Sequence, residues 1–274
     1  MPQFDHQAVS LNYRSEGEGV PFIFLHGLGA DLEQPWALFP PSPGIRLICF
    51  DFRGHGHSAT GPEEQLGLAS FAEDLGALMR HLRISTAVVG GISLGAAVAL
   101  SFTLRFPAKV AGLILSRPAW LDGPNPFNVQ MFGLIAQLVR NYGPTEGLER
   151  FEATPELAQI QAQYPDTANS LRRQFLNPRV IVFSAILDRI PRDSPSSNQA
   201  AWSKISVPTL VLANRLDPVH PYEYGEEYAR RIPKAEFQPI TSKSVNVLLH
   251  AREVQQAIAG FLVGHFLKPH TIQS

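Results

Sequence analysis

Short apolar runs recur along the chain, and each ends at a glycine or a polar residue. Phe22-Ile23-Phe24-Leu25 stops at His26-Gly27, and Leu47-Ile48-Cys49-Phe50 stops at Asp51. Ala87-Val88-Val89 stops at Gly90-Gly91, Val110 to Leu115 at Ser116, and Thr209 to Ala213 at Asn214; the last strand is read, without such a run, at Ala235 to Ile240. Apolar runs without alternation predict strands covered on both faces, as in a parallel sheet. Between them lie segments with helical spacing. Leu68, Phe71, Leu75, Leu78, Met79 and Leu82 recur at steps of three and four, forming one apolar stripe. Leu94 to Phe106 is apolar nearly all round and predicts a buried helix, stopped by Pro107. Repeated strand–helix–strand units imply right-handed crossovers and an α/β, doubly wound, mostly parallel sheet.

The alternation breaks between Trp120 and Trp202. Gly123-Pro124-Asn125-Pro126 signals a turn, and amphipathic pieces follow at Phe127–Tyr142, Thr145–Glu152, Pro155–Tyr164, Thr167–Leu176 and Arg179–Ile190. The block ends in the loop around Ser194-Pro195-Ser196-Ser197. The reading is a core formed by residues 1–119 and 203–274, with a helical cap inserted at 120–202.

Composition narrows the function. Lys plus Arg (23) almost balances Asp plus Glu (24), which argues against a nucleic-acid binder relying on a basic surface. The hydrophobic share of 45% suffices for a large core. A single cysteine, Cys49, excludes an internal disulfide framework and any multi-cysteine metal site, and its apolar neighbours predict burial. The N-terminal stretch does not read as a secretory leader, and no apolar run approaches the ~20 residues needed to span a bilayer. The expectation is a soluble, cytoplasmic protein with no metal or cofactor, no nucleic-acid or membrane partner, and a small-molecule substrate.

The strongest chemical motif is Gly91-Ile92-Ser93-Leu94-Gly95, set between an expected strand and an expected buried helix. In that context the serine sits on a tight strand-to-helix turn, beside the free N–H groups and positive end of the helix. His26-Gly27-Leu28-Gly29 follows an earlier strand, and its glycines let amides turn toward a developing oxyanion. The expected donors are the N–H groups of Leu28 and Leu94. His26 itself reads as a structural residue holding its loop. Asp51-Phe52-Arg53-Gly54-His55-Gly56-His57-Ser58 looks catalytic but reads as a structural turn, with Asp51 and Arg53 tying loops together.

Together with Phe106-Pro107-x-x-Val110 and Asn214-x-x-Asp217-x-x-x-Pro221, these residues resemble the α/β-hydrolase superfamily over almost the whole chain. Within it the chain is most similar to small esterases, enol-lactonases and carbon–carbon-bond hydrolases. Ser93 at the elbow sets it apart from dehalogenases and epoxide hydrolases, which carry an aspartate there. The resemblance implies a serine nucleophile, Ser93, forming an acyl-enzyme from a small ester, lactone or related carbonyl compound. It implies an acid after a late strand, which Asp217 fits, and a histidine after the last strand. That histidine is missing: the family's spacing reaches Ser244, preceded by Lys243, and the next histidine is His250. Six residues span roughly 9 Å as helix or about 20 Å extended, so His250 can act as base only if Thr241 to Leu249 folds back as a bulged loop.

The adopted triad is Ser93, Asp217 and His250. Lys243 in a Ser–Lys pair, His220 three residues after Asp217, and no base at all remain alternatives. The last would make the chain a ligand-binding or scaffold protein on a degenerate hydrolase frame. A carbon–carbon cleaving or lyase reaction on the same site is a further possibility. Arg117 and Trp120, where a strand meets the cap, are placed to touch the substrate, with Arg117 suited to an anionic group; an inter-loop salt bridge and hinge packing are the equal alternative. Met131, Phe132 and Phe175 either line an apolar pocket or pack the cap onto the body.

Overall fold

The computed structural model of the protein describes residues 1–267. In chain order the elements are β1 (Gln3–His6), β2 (Val9–Glu16), β3 (Val20–Leu25), α1 (Glu33–Leu38), β4 (Ile45–Phe50), α2 (Leu68–His81), β5 (Ala87–Ile92), α3 (Leu94–Arg105) and β6 (Val110–Ser116). Then follow α4 (Gln130–Glu152), α5 (Pro155–Gln163), α6 (Pro165–Phe175), α7 (Val180–Arg189), β7 (Thr209–Ala213), α8 (Tyr222–Arg231), β8 (Ala235–Pro239) and α9 (Val247–Phe266). The strands form one eight-stranded sheet in the order β1-β2-β4-β3-β5-β6-β7-β8. The β1–β2 and β2–β4 pairs are antiparallel and the other five are parallel. This is the α/β architecture that the uninterrupted apolar runs imply.

Strand alternation divides the core into two layers. Ile23 and Leu25 of β3 point into a layer with α2 and α3, whereas Phe22 and Phe24 point into a layer with α9. Every residue of α3 from Leu94 to Thr103 is buried, so this helix is sealed between the sheet and its neighbours. Cys49 is fully buried in β4, and burial pushes its thiol above the range in which thiolates form.

Between β6 and β7 the chain leaves the sheet and runs through α4 to α7. The spacing predicts a helix boundary near Tyr142, and the structure breaks α4 there: Gly143 has φ of 74° and Pro144 follows it. At the other end, α9 starts at Val247 rather than near Ala251. Asn246 caps it, with its side-chain oxygen accepting the Leu249 N–H at 2.9 Å. The exposed Val247, Leu248 and Leu249 gave no amphipathic signal for that first turn. Among the described residues no helix is long and apolar enough to cross a membrane.

Candidate active site

Ser93 lies between the end of β5 and the start of α3, with φ of 55° and ψ of −110°. A non-glycine residue at positive φ is uncommon and strained, and such positions cluster where function requires them. The turn is tight because the backbones nearly touch. A Cβ on Gly91 would overlap the Gly95 backbone, and one on Gly95 would overlap the Leu25 carbonyl and stand 2.8 Å from His26 O. The Ser93 N–H donates to Ser116 O at 3.0 Å, which ties the elbow to β6. Ser93 is half-buried, whereas the rest of the elbow from Gly91 to Gly95 is buried.

The loop after β3 lies against this elbow. A methyl group on Gly27 would be 3.7 Å from Ser93 Cβ. Gln34 Oε1 accepts the Gly27 N–H at 2.7 Å, which fixes the loop and makes Leu28 the next amide along it. Leu28 lines the cavity at Ser93, and Leu94 supplies the first helical amide after the serine. His26 donates from Nδ1 to Gly27 O at 2.8 Å and accepts the Phe52 N–H at Nε2 at 3.1 Å. Both of its nitrogens are occupied, so it braces loops. Asp51 accepts from Leu32 N–H, Asn12 Nδ2 and His57 N–H, also in a bracing role.

A cavity of about 90 Å³ opens at Ser93. Gly27, Leu28, Gln34, Ile92, Arg117, Asp217, Val219, His220 and Lys243 line it from the sheet side. Phe132 of α4 and Asp166, Thr167, Ser170 and Leu171 of α6 cover it from above. A larger groove of about 760 Å³ lies between α4, α5 and the segment from Asp188 to Arg192, past Met131, Ile160 and Tyr164. It shares only Val219 with the Ser93 cavity and holds no serine or histidine on its wall. The candidate catalytic side chains therefore gather at the smaller cavity.

Asp217 sits in the turn after β7. Its Oδ2 lies 3.2 Å from Arg117 Nη1 and 2.9 Å from His220 Nδ1, and Oδ1 accepts the His220 N–H at 3.2 Å. Burial works to raise its carboxyl, but His220 and Arg117 outweigh that and hold it well below the usual carboxylate range. Burial lowers the His220 imidazole, with Asp217 opposing and Arg117 and Lys243 adding to the fall. Neither ring nitrogen of His220 is taken by an in-line hydrogen bond; the Nδ1–Asp217 contact is close but off-axis. Arg117 also has positive φ, 50°, so strained residues end both β5 and β6 at the cavity. The Arg117 charge is the main force lowering the Lys243 ammonium to about 8, followed by burial.

Two expected contacts are absent from this cavity. The segment 241–249 does not form the bulged loop that would return His250 to Ser93, because α9 has already begun at Val247. His250 is in the first turn of that helix and is not on the cavity wall. Its Nδ1 donates to Thr241 O at 2.8 Å, and burial, with help from Arg117, lowers it to about 4. Trp120 is also off the wall. It is 1% exposed, stands among core residues, and its carbonyl accepts the Tyr228 hydroxyl at 2.7 Å. Arg117 does line the cavity, as does Phe132, whereas Met131 faces the outer groove and Phe175 packs against Phe151. His220, one of the alternatives for the base, does line the cavity beside Asp217. Its signal was the three-residue spacing from Asp217, which lets the Asp217 side chain accept the His220 amide and fold the ring back over the carboxylate. Among the described residues no group of three His, Cys, Asp or Glu side chains is placed to hold a metal ion.

The alpha/beta hydrolase fold family matches residues 20–248 of this chain. The AB hydrolase superfamily protein YisY of Bacillus subtilis is 29% identical over 267 residues, covering 92% of this chain and 95% of its own. The 3-oxoadipate enol-lactonase 2 of Acinetobacter baylyi is 25% identical over 245 residues, covering 88% of each chain. Among solved structures, a thermophilic esterase from Thermogutta terrifontis, determined with malate bound, superposes with a TM-score of 0.72 at 28% identity, covering 94% of each chain.

Proposed function

The chain belongs to the alpha/beta hydrolase fold family, and we propose that it is a serine hydrolase of small esters or lactones working through an acyl-enzyme. The observation that carries this reading is Ser93: a hydroxyl on a strained turn, half-buried, on the wall of a cavity shared with the Leu28 loop. Ser93 Oγ attacks the carbonyl carbon, and the N–H groups of Leu28 and Leu94 receive the oxygen as it gains charge. Asp217 holds and stabilises the base that takes the serine proton. The small volume of the cavity suits a short acyl group, and the helices α4 and α6 act as the cap that excludes bulk water. Arg117 supports an anionic substituent on the substrate, since its Nε is buried without a partner.

Active-site labelling tests the assignment. A fluorophosphonate probe is expected to add one adduct, located by peptide mass spectrometry on Ser93, and to stop p-nitrophenyl acetate turnover in step with labelling. Full turnover after complete labelling, or an adduct on a different serine, overturns it. Ser244, standing where the family has its histidine, favours a second reading as a ligand-binding protein without turnover. A folded protein that neither labels nor turns over any ester or lactone is the outcome that reading predicts.

A further inference from the structure

We propose that the catalytic base of this chain is His220, supplied by the same loop as the acid Asp217. The proposal rests on Ser93 being the nucleophile, and on four observations of geometry. His220 and Ser93 line one cavity of about 90 Å³. His220 Nδ1 is 2.9 Å from Asp217 Oδ2, the contact an orienting carboxylate makes to its imidazole. The Asp217 side chain also accepts the His220 amide at 3.2 Å, so acid and imidazole form one rigid unit of four residues. Finally, Nε2 is buried with no hydrogen-bond partner among the described residues, which leaves it uncommitted.

The competing groups fit less well. Lys243 is on the same wall, but no carboxylate hydrogen-bonds it, and with its value near 8 it is mostly an ammonium at neutral pH. Its charge faces Arg117, Asp217 and, from α6, Asp166 and Arg173. His250 is held in α9 by Thr241 O and does not line the cavity. His220 faces Asp217 in its own loop, Arg117 at the end of β6 and Lys243 after β8. Their combined effect with burial is to keep the ring neutral at physiological pH, which is the form a base requires.

The proton inventory closes. As Oγ bonds to the carbonyl carbon, its proton passes to His220 Nε2 and the carbonyl oxygen becomes the oxyanion. The imidazolium, stabilised by Asp217 at Nδ1, then protonates the departing alkoxide as the C–O bond breaks. In the second half a water proton goes to Nε2, the hydroxyl adds to the acyl carbon, and the imidazolium returns its proton to Oγ. Ser93 and Nε2 need to close to about 3 Å with substrate in place, and catalytic hydrogen bonds commonly tighten only in that complex.

The test compares fluorophosphonate labelling rates of the full-length wild type, His220→Ala, Lys243→Met and His250→Gln, each checked for an unchanged circular-dichroism spectrum and melting temperature. His220→Ala is expected to slow labelling by ~10²–10⁴, the range of a general base. Added imidazole is expected to restore part of the rate in His220→Ala and to leave wild type unaffected. Should His220→Ala fail to fold, His220→Gln and the wild-type pH profile carry the test. With His220 as base, kcat/KM is flat around neutral pH and falls only below the ordinary histidine value of 6.5. A fall that begins near pH 8 assigns the base to Lys243 and overturns the proposal. So does wild-type labelling by either His220 variant, or a comparable loss confined to His250→Gln. A wild type that never labels at Ser93 refutes the hydrolase reading instead, and the two failures are thereby distinguishable.

Discussion

Ser93→Ala is expected to leave the fold intact and to lower kcat/KM for p-nitrophenyl acetate by ~10⁴–10⁶, the cost of deleting a serine nucleophile whose partners act as a unit. The change removes one oxygen and keeps the Cβ, so the turn geometry survives. The strain at φ of 55° is the same for alanine as for serine. Stability is therefore expected to move by no more than about 0.5 kcal/mol, the range of substitutions that create neither a cavity nor an orphaned polar group. Rates before and after, together with a thermal melt, decide the matter. An activity drop under tenfold in a folded variant means that acyl transfer through Ser93 is not the reaction. A panel of diketones and esters then separates a carbon–carbon cleaving or lyase chemistry, in which the oxyanion donors stay useful without the hydroxyl.

Asp74→Ala is expected to cost ~3–5 kcal/mol of folding stability, because it strands a buried guanidinium. Arg53 and Asp74 are both fully buried. Arg53 donates from Nε and Nη2 to the two carboxylate oxygens, each at 2.7 Å, and His6 Nδ1 lies 2.6 Å from Asp74 Oδ1. This cluster joins the Asp51–Ser58 loop to α2 and to the end of β1, so the conspicuous arginine of that loop serves the fold. For a chain of this size each kcal/mol lowers Tm by about 2–4 °C, so the melt is expected about 6–20 °C lower. Arg53→Met combined with Asp74→Leu removes both charges and is expected to recover most of the loss. A single variant that melts within about 2 °C of wild type contradicts the assignment.

The sheet was legible in the sequence where strands are covered on both faces. Residues of β3 to β7 are almost all buried, so their apolar runs carry no interruptions. β1 and β2 carry no continuous apolar run: Asp5 and Glu16 meet solvent, Arg14 is partly exposed, and the buried Asn12 is polar because it binds Asp51. The elbow was legible for a steric reason: backbone contacts at Gly91 and Gly95 exclude every side chain, so the motif is written in the residues themselves. The proposed base, His220, was not legible. Its position depends on where α9 starts and on which way one loop turns. A cap at Asn246, with three exposed apolar residues behind it, moved His250 out of the loop in which it could have served. A turn between Asp217 and Pro221 turned His220 inward. Both are local backbone events that hydropathy does not record. Trp120 shows the same limit: position at a strand end does not fix which way an indole points, and this one packs in the core, as the hinge-packing alternative has it.

The sealed thiol of Cys49 has a practical corollary. With its one thiol deep in β4 and burial pushing the ionisation of that thiol far up, the native protein is blind to alkylating reagents. Chemical modification with a maleimide or a disulfide dye would therefore count only molecules that have opened their central sheet, giving a built-in clock for global unfolding. It also leaves the surface free for a spectroscopic tag on any cysteine introduced over the roof of the cavity.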